Sequence, residues 1–276
     1  MNFDMNSCWS RGVELVTSNF QLLSAIAAIF FLLPNVAIYL LMPDMQTLSD
    51  PMADQQVVQA RMAEILLPFM GVMIVSLIVQ FVGYGTMVGL MSDERPTVGQ
   101  ALSTALKAMP SLIAIFVIFA LAYILGAFLI ILPFSILGGV AGSPFLAILG
   151  ILPILVFVTW LMARFSMSLP VMILENRLNP LTAIATSFRL TKPKQWQILL
   201  FWFVIFVVMT IISVIIQSVS GLFAALIGTG TMTLILLGLV SGTFAMITGM
   251  LVSALAVAMY GQLDGPDPAG IEETFE

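Results

Sequence analysis

The chain has 276 residues, of which 61% are hydrophobic and only 8% are charged, and its mean hydropathy is +1.13. A soluble domain carries about 25% charged residues and about 45–50% apolar ones, so this composition excludes a soluble globular protein, a disordered chain and a nucleic-acid binder. Histidine is absent and Cys8 is the only cysteine, which excludes an intrachain disulfide, a His/Cys zinc site and any catalytic triad or dyad that needs imidazole.

Six apolar runs are long enough to cross a membrane, because a helix needs about 20 apolar residues to span about 30 Å of hydrocarbon. They cover approximately residues 21–42, 65–91, 110–137, 145–169, 196–222 and 232–260. Each run is apolar on all sides, which is typical of helices surrounded by lipid or by other helices. No small-residue cleavage site follows the first run, so we expect it to stay in the mature protein. The sequence predicts an all-α polytopic membrane protein with six transmembrane helices.

The basic residues predict the orientation, since they are retained on the cytoplasmic side of a membrane. With six spans, both termini share one side, and that side receives eight of the nine Lys and Arg residues. These are Arg11, Arg95, Lys107, Arg164, Arg177, Arg189, Lys192 and Lys194. The opposite side has only Arg61. We therefore expect both termini to be cytoplasmic.

An internal repeat is indicated by three short, more polar segments, residues 6–19, 96–109 and 180–194, which precede the odd-numbered runs. The last two segments align without gaps. The identical pairs are Pro96 with Pro180, Ala101 with Ala185, Ser103 with Ser187 and Leu106 with Leu190. A few such identities also arise by chance, but the position of each segment is regular. We predict one membrane domain, 1–260, built from three pseudo-repeats of about 1–91, 92–174 and 175–260, each a short amphipathic surface helix followed by two spans.

The third segment has the clearest helix signals. Asn179 is a good N-cap and Pro180 suits the first helical position, whereas Pro193 predicts an end near Lys192. The apolar residues of the segment share one face and the polar residues another, so we expect the helix to lie in the headgroup plane with its apolar face down. The apolar face is Leu181, Ile184, Ala185 and Phe188, and the polar face is Thr182, Thr186 and Arg189.

Four cations around this segment are the candidate lipid-headgroup residues. They are Arg177, Arg189, Lys192 and Lys194. Each basic residue near an anionic membrane surface contributes about 1 kcal/mol. The alternative is a topology determinant that makes only ordinary lipid contacts.

Small residues spaced four apart occur in two of the runs. Gly85 and Gly89 form one pair, and Gly238 and Gly242 form another. This spacing lets helix backbones approach closely. We expect these glycines to pack helices within one bundle, and dimerisation is the alternative.

Polar residues within the runs are few, and none is charged at mid-depth; four are Asn35, Gln80, Thr159 and Gln217. Ion-coupled transport usually leaves an ionisable group deep in the bilayer, so proton-coupled transport is disfavoured. A transporter or channel for a small or amphiphilic solute stays open, with these four side chains as its candidate lining. An intramembrane lipid enzyme is disfavoured, because no cluster of acids and bases shares one depth.

Residues 261–276 form an acidic tail with five carboxylates and no Lys or Arg. The tail also contains Gly265, Pro266, Pro268 and Gly270. Such a segment buries too little apolar surface to offset its ordering entropy. We predict a disordered cytoplasmic tail.

One stretch carries a resemblance to a known family. It runs Leu-Pro-Val-Met-Ile-Leu-Glu over residues 169–175 and continues with Pro180, Ser187, the run Arg-Leu-Thr-Lys over residues 189–192, and Trp196. The chain resembles the YciC-type bacterial inner-membrane proteins, which are akin to the membrane domain attached to some glycerophosphodiester phosphodiesterases. The resemblance implies a multi-span protein of the bacterial inner membrane. It does not imply phosphodiesterase chemistry, because the chain has neither the soluble domain nor any histidine.

The function expected from the sequence is that of a non-enzymatic membrane module that interacts with lipid, in envelope or lipid homeostasis. We expect anionic membrane lipids as partners, and no cofactor, metal or nucleic acid. A membrane-protein partner or self-association stays open.

Overall fold

The computed structural model describes residues 3–41, 55–92, 94, 96–140, 142, 149–228 and 230–264. This part of the chain is helical and contains no strand, which confirms the all-α prediction. In chain order its helices are α1 (Met5–Ser18), α2 (Phe20–Ala27), α3 (Leu33–Leu41), α4 (Gln55–Leu90), α5 (Val98–Val140), α6 (Ile151–Phe165), α7 (Ser168–Leu174), α8 (Pro180–Thr191), α9 (Gln195–Ile227) and α10 (Thr231–Asp264).

Six helical segments are long and apolar enough to cross a membrane. They are Phe20–Leu41, Leu66–Leu90, Val98–Val140, Ile151–Leu174, Gln195–Ile227 and Thr231–Asp264. The prediction of six transmembrane helices is therefore confirmed, and four of the predicted runs agree with these segments to within about five residues. The chain is a multi-pass membrane protein.

The third and fourth predicted runs differ from the structure. The surface segment predicted at 96–109 is not a separate helix, because α5 runs without interruption for 43 residues and includes Pro110 and Pro133. Pro110 removes one backbone donor but does not end the helix, as is common for proline in membrane helices. The fourth membrane segment lies a few residues later than predicted, since the turn after Phe165 leads directly into α7. The start of that predicted run, residues 145–148, lies outside the described residues.

A single π-helical turn, Ala28–Leu32, joins α2 to α3. Pro34 has no N–H to donate to the carbonyl of Phe30, so a regular turn would leave that acceptor unpaired. In the wide turn the N–H of Leu33 donates to the carbonyl of Ala28, five residues back, and Asn35 Nδ2 donates to the carbonyl of Phe31 at 2.8 Å. The first membrane segment thus continues past Pro34, with the wide turn directly before the proline.

The chain divides into two compact units. The first contains Met1–Gly12, Lys107–Val207 and Leu255–Glu276, and the second contains Val13–Leu106 and Val208–Ala254. The second unit holds the π-turn and the glycines of α10 that face it. The first unit holds α6, α7 and α8, and it is the unit that carries the candidate site.

Buried side chains lie mostly toward one end of each membrane segment. In α5 and α9 they lie in the first half, as with Ala105 and Ile198, and in α4 and α10 they are densest near the last turns, as with Met87 and Met259. The opposite ends expose large apolar side chains such as Leu129, which a hydrocarbon environment accommodates.

Helix α1 packs along the end of α10 in the first unit. The N–H of Asp4 donates to Gln262 Oε1 and Gln262 Nε2 donates to the carbonyl of Asp4, both at 3.3 Å. Cys8 is fully buried, with its Sγ 3.9 Å from the carbonyl oxygen of Leu255. Helix α10 extends to Asp264, so the first four residues of the predicted tail are helical, and residues 265–276 lie outside the described residues.

The thiol of Cys8 is expected to resist alkylation in the folded protein. Burial, aided by the charge of Asp4, raises the pKa of the Cys8 thiol from 9.0 to about 12, so at pH 8 only about one thiol in ten thousand is the reactive thiolate. Iodoacetamide should leave the protein unmodified in mild detergent and modify it fully after denaturation. The residual rate should keep rising between pH 9 and pH 11. Complete modification within minutes at pH 8, without unfolding, would contradict this packing of α1.

Candidate functional site

Helix α8 begins and ends as the sequence predicts. The side chain of Asn179 accepts hydrogen bonds from the N–H groups of Leu181 and Thr182, at 3.0 and 3.4 Å, which confirms the N-cap. Pro180 occupies the first turn, where its missing N–H costs nothing. The helix ends at Thr191, directly before Lys192 and Pro193, so this element is correctly predicted at both ends.

The buried face of α8 consists of small residues that pack against α6 and α7. Ala183, Ser187 and Thr191 are four residues apart and are all buried, and Ser187 Oγ donates to the carbonyl of Arg164 in α6 at 2.5 Å. Thr186 is also buried, so its predicted place on the exposed polar face is wrong. The reason is size, because small hydroxyl residues let helices approach closely and bond to neighbouring carbonyls.

The opposite edge of α8 is exposed. It carries Leu181, Ala185, Arg189 and Lys192, at intervals of four, four and three residues, so these side chains follow one line along the helix. Leu181 is 66% exposed, and Trp196 in the first turn of α9 is 71% exposed. We call Leu181, Ala185, Arg189, Lys192 and Trp196 the exposed edge. It combines apolar and cationic side chains in the way that interfacial helices do.

Arg177 and Lys194, the other two predicted headgroup cations, lie on either side of α8. Arg177 is in the turn before the helix, and its Nε is 2.6 Å from Glu175 Oε2. Its side chain is 52% exposed, so this ion pair contributes little to the stability of the fold. Lys194 is in the turn after the helix and is partly buried. The structure thus places three of the four cations at the carboxyl end of α8 and one at its amino end.

Arg164 makes contacts that the sequence did not indicate. Its Nη1 donates to the carbonyl of Phe188 and to Thr191 Oγ1, both at 3.2 Å, and its Nη2 donates to Gln195 Oε1 at 2.7 Å. One side chain of α6 therefore ties together the last turn of α8 and the first turn of α9. In the sequence Arg164 counts only among the basic residues that predict the orientation, and no spacing rule indicates these partners.

Aromatic rings surround the same guanidinium. Its Cζ lies 5.7 Å from the ring centroid of Trp160 and 5.4 Å from that of Phe188, which are cation–π distances. Phe165 meets the Phe188 ring edge-on at a centroid distance of 5.5 Å. The Nε atom is buried and has no hydrogen-bond partner among the described residues. The charge of Arg164 is thus held between aromatic rings and neutral oxygens.

The acidic residues described in the first unit are engaged elsewhere. Asp4 accepts hydrogen bonds from the N–H groups of Asn6 and Ser7 at the start of α1, and the hydrogen bond from the Ser7 hydroxyl is the main reason why its pKa is lowered. Glu175 pairs with Arg177. The hydroxyl of Tyr260 lies 2.9 Å from Glu175 Oε1 and 2.7 Å from Asp264 Oδ2. Within the described part of the chain, no carboxylate pairs with Arg164.

The four glycines predicted to pack helices are all buried. For Gly242 and Gly238 the neighbours are defined. A Cβ on Gly242 would lie 2.8 Å from the carbonyl oxygen of Leu32 in the π-turn, and one on Gly238 would lie 2.9 Å from the Cα of Val36. Here α10 and the first membrane segment approach backbone to backbone. Gly85 and Gly89 lie near the end of α4.

Two of the four polar side chains considered for a transport pathway bond to their own helices. Asn35 donates to Phe31, as above, and Thr159 Oγ1 donates to the carbonyl of Leu155 at 2.8 Å. Such bonds satisfy a polar group in hydrocarbon without any solute. Gln80 is partly buried in α4, and Gln217 is exposed in α9.

Among the described residues there is no group of three or more Cys, Asp or Glu side chains that could hold a metal ion. Comparison with protein-family models, with curated proteins and with solved structures yields no match.

Proposed function

We propose that this multi-pass protein is a non-enzymatic, lipid-interacting module of the bacterial inner membrane, with both termini in the cytoplasm and a role in envelope or lipid homeostasis. The orientation follows from the distribution of basic residues, and the choice of membrane follows from the resemblance to the YciC-type proteins. The partner is anionic phospholipid of the cytoplasmic leaflet.

One observation carries the proposal, namely the division of α8 into a buried face and the exposed edge. Ala183, Ser187 and Thr191 are buried against α6 and α7, whereas Leu181, Arg189 and Lys192 stay exposed. Leu181 and Trp196 suit the boundary between headgroups and acyl chains, where amphipathic aromatic rings are enriched. Arg189 and Lys192 lie on the same line as Leu181 and suit the phosphates above that boundary.

Replacing Arg189, Lys192 and Lys194 together with glutamine is expected to lower the retention of anionic phospholipid. Three cations at about 1 kcal/mol each correspond to a loss of affinity of roughly 100-fold. The measurement is the number of anionic phospholipids per chain that co-purify in mild detergent, by lipid extraction and mass spectrometry.

The matched control keeps every charge, with Arg189→Lys, Lys192→Arg and Lys194→Arg in one chain. It should retain as much anionic lipid as the natural sequence. Equal retention by the glutamine variant, with unchanged thermal unfolding, would remove the lipid proposal.

A further inference from the structure

Gln217 places a primary amide on the outer surface of a membrane segment. It lies in α9 and is exposed, about 32 Å along the helix from Trp196 and about 15 Å before Ile227, at about 1.5 Å per residue. Ile227 and other large apolar side chains of the last turns are exposed as well, and residues 195–263 include no Lys, Arg, Asp or Glu. A bilayer accommodates an apolar stretch of this length through tilt of the helix or local thickening. Hydrocarbon therefore extends past the amide in both directions along α9.

An amide in hydrocarbon is unfavourable unless it is hydrogen-bonded. A primary amide has two N–H donors and a carbonyl acceptor. Even a bond to its own helix, of the kind that Asn35 and Thr159 make, would therefore leave polar groups of the amide facing lipid. Membrane helices satisfy such side chains by hydrogen bonds across a helix–helix interface. The exposed amide thus points to a second helix that covers it.

The face of α9 that carries the amide leaves room for such a helix. Ser213, Gly221 and Ala225 are spaced at multiples of four residues from Gln217, so all four share one line along the helix. Ser213 Oγ donates to the carbonyl of Thr210 at 3.2 Å, and no other part of the described chain comes within 4 Å of where a Cβ of Gly221 would lie. Small side chains on both sides of the amide let another backbone approach closely enough to hydrogen-bond with it.

A second copy of the chain matches this face in direction, depth and charge distribution. Two copies in one membrane have parallel α9 helices, so a two-fold axis along the membrane normal places both Gln217 side chains at the same depth. The charge distribution of an amide is self-complementary, because its N–H is partly positive and its carbonyl oxygen partly negative. Two amides that meet across the axis therefore form two hydrogen bonds, with the N–H of each donating to the carbonyl of the other.

We infer that the distal half of α9, over residues 213–225, is the interface of a homodimer in which the two Gln217 amides hydrogen-bond to each other within the hydrocarbon. This inference goes beyond the proposed function and does not depend on it, because it uses neither α8 nor a charged side chain.

Cysteine cross-linking in the membranes of the cells that produce the full chain tests which face of α9 is covered. In a Cys8→Ser background, Gly221→Cys should form an interchain disulfide with the membrane-permeant oxidant copper phenanthroline, because the two-fold axis brings both positions together. Leu226→Cys is the matched control, since it lies on the other side of the same helix. It should give at least about tenfold less cross-linked dimer.

Two outcomes of the cross-linking would overturn the inference. One is a cross-linked dimer from Leu226→Cys with none from Gly221→Cys, which would place the contact on the opposite face. The other is a cross-link of Gly221→Cys to a different protein without any product between two copies, which would make another membrane protein the occupant.

Gln217→Leu tests the contribution of the amide itself. Leucine has a similar size, so thermal unfolding in detergent should be unchanged. The dimer should dissociate at an about tenfold higher protein-to-lipid ratio than that of the natural chain, because two interhelical hydrogen bonds are lost. Gln217→Asn keeps an amide and should weaken the dimer less than about threefold.

The measurement is the fraction of dimer in phosphatidylcholine vesicles, counted from single-molecule photobleaching steps over a range of protein-to-lipid ratios. The neutral lipid ensures that no anionic lipid bridges the two copies. A natural chain that stays monomeric at the highest protein-to-lipid ratio would overturn the inference. A dimer of unchanged affinity in Gln217→Leu would do the same, since its interface would not involve the amide.

Discussion

Replacing Gly242 with alanine is expected to destabilise the protein by about 2 kcal/mol and to lower its thermal unfolding temperature by about 5 °C. The new Cβ would lie 2.8 Å from the carbonyl oxygen of Leu32 and 3.1 Å from its Cα. Both are backbone atoms, so no side chain can rotate out of the way. Leu32 is also the last residue of the π-turn, which Pro34 and neighbouring helices already constrain, so the two segments have to separate.

The control for this prediction is Gly221→Ala. Gly221 lies inside α9, and no other part of the described chain comes within 4 Å of where its Cβ would be. Alanine should be neutral or slightly stabilising there, because the unfolded chain loses less conformational entropy on folding with alanine than with glycine. Thermal unfolding in the same detergent checks both variants. Unfolding of Gly242→Ala within 1 °C of the natural protein would show that the close approach between α10 and the π-turn is not formed.

Replacing Ala183 with leucine is expected to displace α8 from α6 and α7. Ala183 is fully buried, and adding three carbons to a packed contact costs about 1–3 kcal/mol. Since one edge of α8 is exposed and a turn follows the helix, we expect it to detach while the membrane helices stay folded. The amide hydrogens of α8 should then exchange at least about tenfold faster, as measured by hydrogen exchange and mass spectrometry.

Ala185→Leu is the matched control, since it makes the same change two residues later on the exposed edge. Exchange in α8 should be unchanged, and the larger side chain should add apolar contact with lipid. The opposite outcome, with Ala185→Leu disruptive and Ala183→Leu tolerated, would mean that α8 is rotated by half a turn.

Most of the architecture is predictable from the sequence, because hydrocarbon imposes a simple length and polarity requirement on each crossing. The six runs and the bounds of α8 follow from apolar stretches and from Asn179, Pro180 and Pro193. The separate surface helix predicted at 96–109 is not observed. It was predicted because its polar composition resembles that of α8, but the segment contains no residue that ends a helix before Pro110. Polarity marks where a chain meets water, and it does not by itself end a helix.

The candidate site was less predictable. The cations of α8 are evident in the sequence, but the face that the helix buries is not. Polarity suggested that Thr186 is exposed, whereas in the structure Thr186 is buried together with the other small residues of that face. The role of Arg164 depends on Phe188, Thr191 and Gln195, which are 24 to 31 residues away in the chain. Contacts at that separation need the tertiary fold, although a lone arginine in an apolar helix was a usable signal.

The central claim, that the exposed edge of α8 meets lipid headgroups, is tested most directly by the depth of a spin label at Ala185. The label is attached to a cysteine at this position in a Cys8→Ser background, and the protein is reconstituted in vesicles that contain anionic lipid. A reference label at Glu94, in the exposed turn between α4 and α5, reports full access to water. We predict that the Ala185 label is accessible to oxygen and shielded from a water-soluble nickel chelate, at the depth of the headgroup boundary. Equal access of the chelate to both labels would contradict the account.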